Sequence, residues 1–281
     1  MILDIKTLAN QLTEEVEWAV KKLHTQPTLN IVMIGNNSAS DVYVKNKIKT
    51  CHTVWIDARL THLEASVTSE EVKKLIDTLN KDDSVDAILV QSPLPDHIDA
   101  QEIFDCIDPE KDVDGFSSIN MARLYSGDET GLVPGTPKGI MRIIEQYAKE
   151  IKGKDVAVIG KSTIVGKPLS MLLLHAGATV TICHSKTKNL SEKTKHADII
   201  VSAAGKKHLI TADMVKPGAL VIDVGINVEE SAWKRKIFGD CDTENIAQKA
   251  DITPVPGGVW PMTIALLLSN VLLAHSLQWK N

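Results

Sequence analysis

The stretch whose reading decides the fold is Val156-AVIGKSTIVGK-Pro168. With Asp155 before it, the apolar run Val156 to Ile159 reads as a short buried strand over Asp155–Ile159. The run breaks at Gly160, turns through polar residues and resumes as the helix Pro168-LSMLLLHA-Gly177, with proline in its first turn. A strand that feeds a helix through glycines offers free helix N–H groups and a positive dipole end to a pyrophosphate. The spacing is not G-x-G-x-x-G, because Ser162 stands where the second glycine would be. A glycine-bearing turn that holds no ligand would show the same pattern. The next strand, Ala178-TVTI-Cys183, runs into His184-SKT-Lys188, which has no acidic residue. An NAD site usually places Asp or Glu there for the ribose hydroxyls. Lys161 and Ser185 instead suit a 2′-phosphate, so any dinucleotide held here is expected to be NADP.

Outward from this loop, Asp198-IIVSA-Ala204 and Ala219-LVIDV-Gly225 read as two further strands of the same domain. Upstream, Thr28-LNIVM-Ile34, a helix over about 39–52, a strand over about 55–63, Thr68-SEEVKKLIDTL-Asn80 and Asp86-AIL-Val90 alternate as strand and helix. Thr68 and Glu71 form a capping box. The β–α–β–α–β order implies a parallel sheet. Two prolines in Gln91-SPL-Pro95 forbid its continuation. Residues 138–150 read as a helix joining the domains. The apolar run Ile264-ALLLSNVLL-Ala274 reads as a buried helix packed back on the first domain, too short to span a bilayer. The expected fold is α/β: two α/β domains with parallel sheets, the second Rossmann-like and dinucleotide-binding, with a cleft between them. The expected ranges are 1–137 plus 262–281 and 138–261.

A chain of 281 residues is long for one core. Its 43% apolar and 24% charged content is that of a soluble globular protein. A net charge of −5 argues against general nucleic-acid binding. Cys51, Cys106, Cys183 and Cys241 are widely spaced, with no C-x-x-C and no zinc-like cluster. They read as reduced thiols of a cytoplasmic protein with no metal. The start, MILDIKTLANQL, lacks the basic and apolar regions of a signal peptide.

On the helix Ser40-DVYVKNKI-Lys49, Tyr43 and Lys47 share one face and Lys45 and Lys49 another. The Lys45/Lys49 face can be solvated; the residues alone leave the Tyr43/Lys47 face either solvated too, the commoner case for lysine, or turned into a site. His97 and His184 have no acidic partner in sequence and are assigned no chemistry.

Six stretches in order resemble the bifunctional methylenetetrahydrofolate dehydrogenase/methenyltetrahydrofolate cyclohydrolase family: Gly35 to Lys49, Ala87 to Asp99, Pro109 to Leu124, Gly160 to Pro168, Asp223 to Asn227 and Ile252 to Thr263. The resemblance implies oxidation of 5,10-methylenetetrahydrofolate with NADP+, then hydrolysis to 10-formyltetrahydrofolate, in one-carbon metabolism and purine biosynthesis. It implies a homodimer acting on tetrahydrofolate derivatives, with no nucleic-acid or membrane partner. Lys47 matches the family's catalytic lysine, and a lysine can move protons only if its surroundings lower its pKa. Tyr43 would stack on the folate, Gln91 would contact the lysine, and Asp114 would accept the amino-pyrimidine edge of the pterin. Asp112 is read as structural. Gly160, Lys161, Ser162, Ile164, Gly166, Ser185 and Ile226 would hold the cofactor.

The chain departs from the family pattern at several places. Lys161 replaces an arginine, keeping charge without the fork of donors. Gly135 and Ser92 replace a cysteine and an apolar residue. Trp55 and Trp260 stand where the family has glycine, and Trp260 precedes Pro261, which favours extended backbone. Two further readings stay open: a dehydrogenase with impaired cyclohydrolase, and a non-catalytic folate- or nucleotide-binding protein.

Overall fold

The computed structural model describes residues 1–231 and 234–279. Ala232, Trp233, Lys280 and Asn281, which the ranges above include, lie outside the described residues. The first elements are α1 (Ile5–Val20), β1 (Thr28–Ile34), α2 (Ser38–Thr53), β2 (Asp57–Leu63), α3 (Ser69–Lys81), β3 (Ala87–Val90), α4 (Ala100–Asp105) and α5 (Ser118–Ser126). Then come α6 (Gly135–Tyr147), β4 (Asp155–Ile159), α7 (Gly166–His175), β5 (Thr179–Cys183), α8 (Leu190–Thr194) and β6 (Ile199–Ser202). The chain closes with β7 (Leu220–Asp223), β8 (Asn227–Ser231), β9 (Lys234–Phe238), α9 (Thr243–Ile246), β10 (Asp251–Ile252) and α10 (Val259–Gln278). Two compact units result. Met1–Asn10 and Thr136–Thr263 form the loop unit, named for Gly160–Gly166; Gln11–Gly135 and Ile264–Asn281 form the lysine unit, named for Lys47.

The lysine unit is built on a parallel sheet in the order β2-β1-β3. Side chains alternate across it. Leu29, Ile31 and Met33 pack with Val44 and Cys51 of α2 and with Leu267, Leu268 and Val271 of α10. Val32 and Ile34 pack on the other face with Val72 and Ile76 of α3 and Ile103 of α4. Burial on both faces is why β1 and β3 are almost continuously apolar. Helix α10 is longer than the Ile264–Ala274 run, and by length and composition it reaches that of a membrane span. Its buried Asn270 donates to Val113 O at 2.9 Å and Val133 O at 2.8 Å, a specific anchor inside the unit.

The loop unit holds a five-stranded parallel sheet, order β10-β7-β6-β4-β5. The hairpin β8–β9, with its antiparallel register, was not legible in the sequence. The first ten residues group with this unit because Ile2 bridges Ile252 beside β10, with Leu3 N donating to Ile252 O and Ile252 N to Met1 O, both at 2.9 Å.

The capping box expected at Thr68 and Glu71 is present. Two expectations need correction. Trp260 is not extended but lies in the first turn of α10; Pro261 is tolerated there because N–H groups of a first turn have no helical partner. Trp55 is not in a strand. It ends α2 in the left-handed region, φ 64. Ile56 N donates back to Cys51 O at 3.0 Å and Trp55 N to His52 O at 3.3 Å. This pair of bonds closes a helix through a left-handed residue that is usually glycine. Helices α5 and α7 close the same way, through Gly127 (φ 77) and Gly177 (φ 82). A side chain in this conformation costs roughly 1–2 kcal/mol, and the Trp55 indole, 60% exposed, recovers little of that by packing. Trp55→Gly is expected to raise stability by about 1 kcal/mol, read as a higher denaturation midpoint in urea; a lower midpoint would show that indole packing outweighs the backbone cost.

Candidate active site

Helix α2 buries Val44 and Cys51 against the sheet, which turns Lys45 and Lys49 to water. Lys47, on the Tyr43 face, is only 9% exposed. Its Nζ donates to Gln91 Oε1 at 3.0 Å. Gln91 follows β3 directly, its own N–H bonded to Val32 O at 2.9 Å. Its amide is oriented by a second bond, Nε2 to Ser92 O at 2.6 Å. Tyr43, one turn before Lys47, is half-buried. Ser40 is buried and its N–H donates to Asn37 Oδ1 at 3.1 Å, so Asn37 caps the start of α2.

Asp114 is half-buried. Burial raises its carboxyl pKa above the usual range; the Lys47 charge draws it down and Asp112 pushes it up. Asp112 is 1% exposed and accepts from Ser117 N (2.8 Å), Gly115 N (3.0 Å) and Asn120 Nδ2 (3.1 Å). Gly115 sits at φ +66, where an added Cβ would lie 2.5 Å from Leu132 O. Asp112 and Gly115 therefore fix the turn that presents Asp114, while the Asp112 lone pairs are taken. Cys51 lies one turn beyond Lys47; burial pushes its thiol up to about 12, against the pull of the Lys47 charge.

In the loop unit, a cavity of about 570 Å³ opens at the ends of β4, β5 and β6. Gly160, Lys161 and Ser162 line it from the first loop, His184, Ser185 and Thr187 from the second, and Ala203, Ala204 and Lys206 from the third. The carboxyl end of a parallel sheet is where open α/β folds bind ligands. Gly160 has φ +137, and a Cβ there would lie 2.5 Å from Ala203 O; a Cβ on Gly166 would collide with Gly160 O. Ser162, in place of the second glycine, closes the turn: its Oγ accepts from Val165 N at 3.2 Å and Gly166 N at 3.4 Å. Among the described residues no carboxylate lines the cavity, while two lysines and three hydroxyls do. That donor set fits a dinucleotide with a 2′-phosphate. Ile164 and Ile226 are exposed and lie outside this lining.

The third loop is held from beneath by an acid the sequence reading missed. Asp240, fully buried, accepts from Ala204 N (2.7 Å), Lys206 N (2.8 Å), Gly205 N (3.1 Å), Ser202 Oγ (3.1 Å) and Asn227 Nδ2 (3.1 Å). Asp223, 1% exposed, accepts from Cys241 N (2.8 Å), Asp240 N (2.9 Å) and Gly225 N (3.0 Å). A Cβ on Gly225 would strike the Asp240 carboxylate, and one on Gly239 the Asp223 carboxylate. The glycines beside these acids, Asp223-Val-Gly225 and Gly239-Asp240, were the available signal. His97 bonds Val67 O at 2.9 Å, a structural contact. His184, set aside earlier, lines the cavity, its Nδ1 accepting from Lys186 N at 3.2 Å. Among the described residues, no group of three or more His, Cys, Asp or Glu could hold a metal ion.

Two family models match the chain: the tetrahydrofolate dehydrogenase/cyclohydrolase catalytic domain over residues 3–114 and the NAD(P)-binding domain of the same family over residues 134–279. A bifunctional protein FolD from a Hydrogenobaculum species is 49% identical over 276 residues, covering 98% of each chain. The crystal structure of the bifunctional FolD dehydrogenase/cyclohydrolase from Campylobacter jejuni is similar with a TM-score of 0.94 and 47% identity, covering 98% of this chain and 99% of that one. The Trypanosoma brucei dehydrogenase-cyclohydrolase, solved with NADP and an inhibitor, has a TM-score of 0.95 and 32% identity, covering 100% of this chain and 99% of that one.

Burial raises the Asp223 pKa to about 6, partly offset by its three N–H donors. A folded-state value above the unfolded one, about 3.9, means protonation favours the fold. The resulting stability is full below pH 4 and lost as pH rises through 6. In protein labelled with 13C-aspartate, the Asp223 carboxyl resonance is expected to titrate with a midpoint near 6; a midpoint near 4 would mean that the donors outweigh burial.

Proposed function

The chain belongs to the tetrahydrofolate dehydrogenase/cyclohydrolase family, and from that premise we propose which of its residues carry the two reactions. The enzyme oxidises 5,10-methylenetetrahydrofolate to the methenyl form with NADP+ and hydrolyses the product to 10-formyltetrahydrofolate. Bound NADP+ supplies the hydride acceptor. Loss of hydride from an N–CH2–N carbon is assisted by the nitrogen lone pairs, and no proton need leave. The protein's task in this step is positioning. Gly160 and Gly166 allow the loop its close approach, Ser162 closes the turn, and Lys161 and Ser185 take the 2′-phosphate. Ile164 and Ile226 contribute exposed apolar surface beside the cofactor.

Hydrolysis needs proton transfer. Water adds to the methenyl carbon and gives up one proton; the C–N5 bond then breaks as the hydroxyl loses its proton to become the formyl carbonyl and N5 gains a proton, so that one proton is released overall. Lys47 is the group we assign to this transfer, with Gln91 holding its Nζ. A neutral amide partner suits this role, since a carboxylate at 3.0 Å would favour the ammonium form. Asp114 accepts the amino-pyrimidine edge of the pterin, and Tyr43 lies one turn from Lys47 to stack on the folate ring. The observation that carries this reading is the burial of Lys47 with its Nζ on Gln91 rather than in water. We further propose a cytoplasmic homodimer. The family resemblance supports it, as do four unpaired cysteines and the edge position of β5, where Thr179, Thr181 and Ile182 are exposed.

Lys47→Met is expected to keep reduction of NADP+ while slowing decay of the methenyl absorbance by about 100-fold or more. Decay at the wild-type rate would remove Lys47 from the mechanism. Decay in the wild-type protein no faster than in buffer would leave a dehydrogenase alone.

A further inference from the structure

Lys161 offers a phosphate a single point charge where a guanidinium would offer a fork. A 2′-phosphate is close to a dianion, so one ammonium leaves it under-compensated. The cavity holds a second ammonium. Lys206 lines it from the loop after β6, together with Lys161 and Ser185.

Three observations separate Lys206 from an ordinary surface lysine. First, its backbone is immobilised. Ala203 N bonds Ile159 O at 2.7 Å, and the next three N–H groups all end on the Asp240 carboxylate. A side chain that starts from so fixed a point loses less entropy when it meets a ligand. Second, the next residue is used differently. Lys207 bonds Glu229 at 2.6 Å and lies over the Phe238 ring at 3.5 Å, so its charge is already compensated. Lys206 has no carboxylate within ion-pair distance among the described residues, and its charge is available. Third, the acid that binds this loop, Asp240, is saturated by five donors and fully buried. It fixes the loop without offering the Lys206 ammonium a competing partner.

We propose that Lys206 is a specificity-determining residue for NADP+, giving the adenosine 2′-phosphate a second cation in addition to Lys161, on a loop that Asp240 holds in place. This rests on the reading of the cavity as the NADP+ site. It predicts that selectivity for the 2′-phosphate is divided between two lysines instead of residing in the first loop.

The test is calorimetric and needs no turnover. Adenosine 2′,5′-bisphosphate and AMP are titrated separately into the full-length wild type, Lys206→Gln and Lys206→Arg. The wild type is expected to hold the bisphosphate at least tenfold tighter than AMP. In Lys206→Gln this ratio is expected to fall about tenfold, with the difference shrinking as salt is raised in the wild type. Lys206→Arg is expected to restore the ratio, which a merely structural role would not require. An unchanged ratio in Lys206→Gln, or a ratio not restored by arginine, overturns the assignment of Lys206. A wild type that holds the two ligands equally would overturn the NADP+ reading of the cavity itself.

Discussion

A carboxylate taken out of water must be surrounded by donors, and for three buried acids of this protein most of the donors are backbone N–H groups of loops. Asp112, Asp223 and Asp240 are each nearly or fully buried and each collects at least two such groups. The arrangement converts a solvation requirement into geometry. Asp112 sets the turn that carries Asp114; Asp240 sets the loop that carries Lys206. Asp223 ties the end of β7 to the start of the segment after β9, and so positions Asp240 itself through Asp240 N. Removing any of these acids leaves several backbone donors without acceptors, so the effect would spread through a whole loop.

Much of the architecture was legible because apolar runs bounded by glycine or proline admit few other readings. Strand β4 falls on Asp155–Ile159 as expected, and the order of strands and helices in both units follows the alternation of such runs. The capping box at Thr68 was legible because its two partners are three residues apart. The hairpin β8–β9 was not: Asn227–Ser231 and Lys234–Phe238 are largely polar and carry no run that stands out. Helix α1, Ile5–Val20, likewise lies outside the elements expected from the sequence. Trp55 falls at the start of the strand expected over about 55–63; aromatic residues favour strands, and here the backbone bonds that close α2 override that preference.

The site divides in the same way. Spacing put Tyr43 and Lys47 on one face of a helix, and the resemblance gave Gln91, 44 residues away, as the partner. No local pattern could pair Asp240 with residues 204–206, because that contact spans more than 30 positions and is specified only by folding. Lys206 was equally silent, one of two adjacent lysines until Glu229 and Phe238 claimed the other.

The thiol of Cys51 has a consequence outside catalysis. A cysteine one turn from a lysine is ordinarily a candidate for ready alkylation, but burial keeps this one protonated and shut away from reagents. Labelling at Cys51 can then proceed only during excursions in which α2 lifts from the sheet. The protein thus carries a built-in chemical clock on the helix that bears Lys47, counting how often that helix lets go.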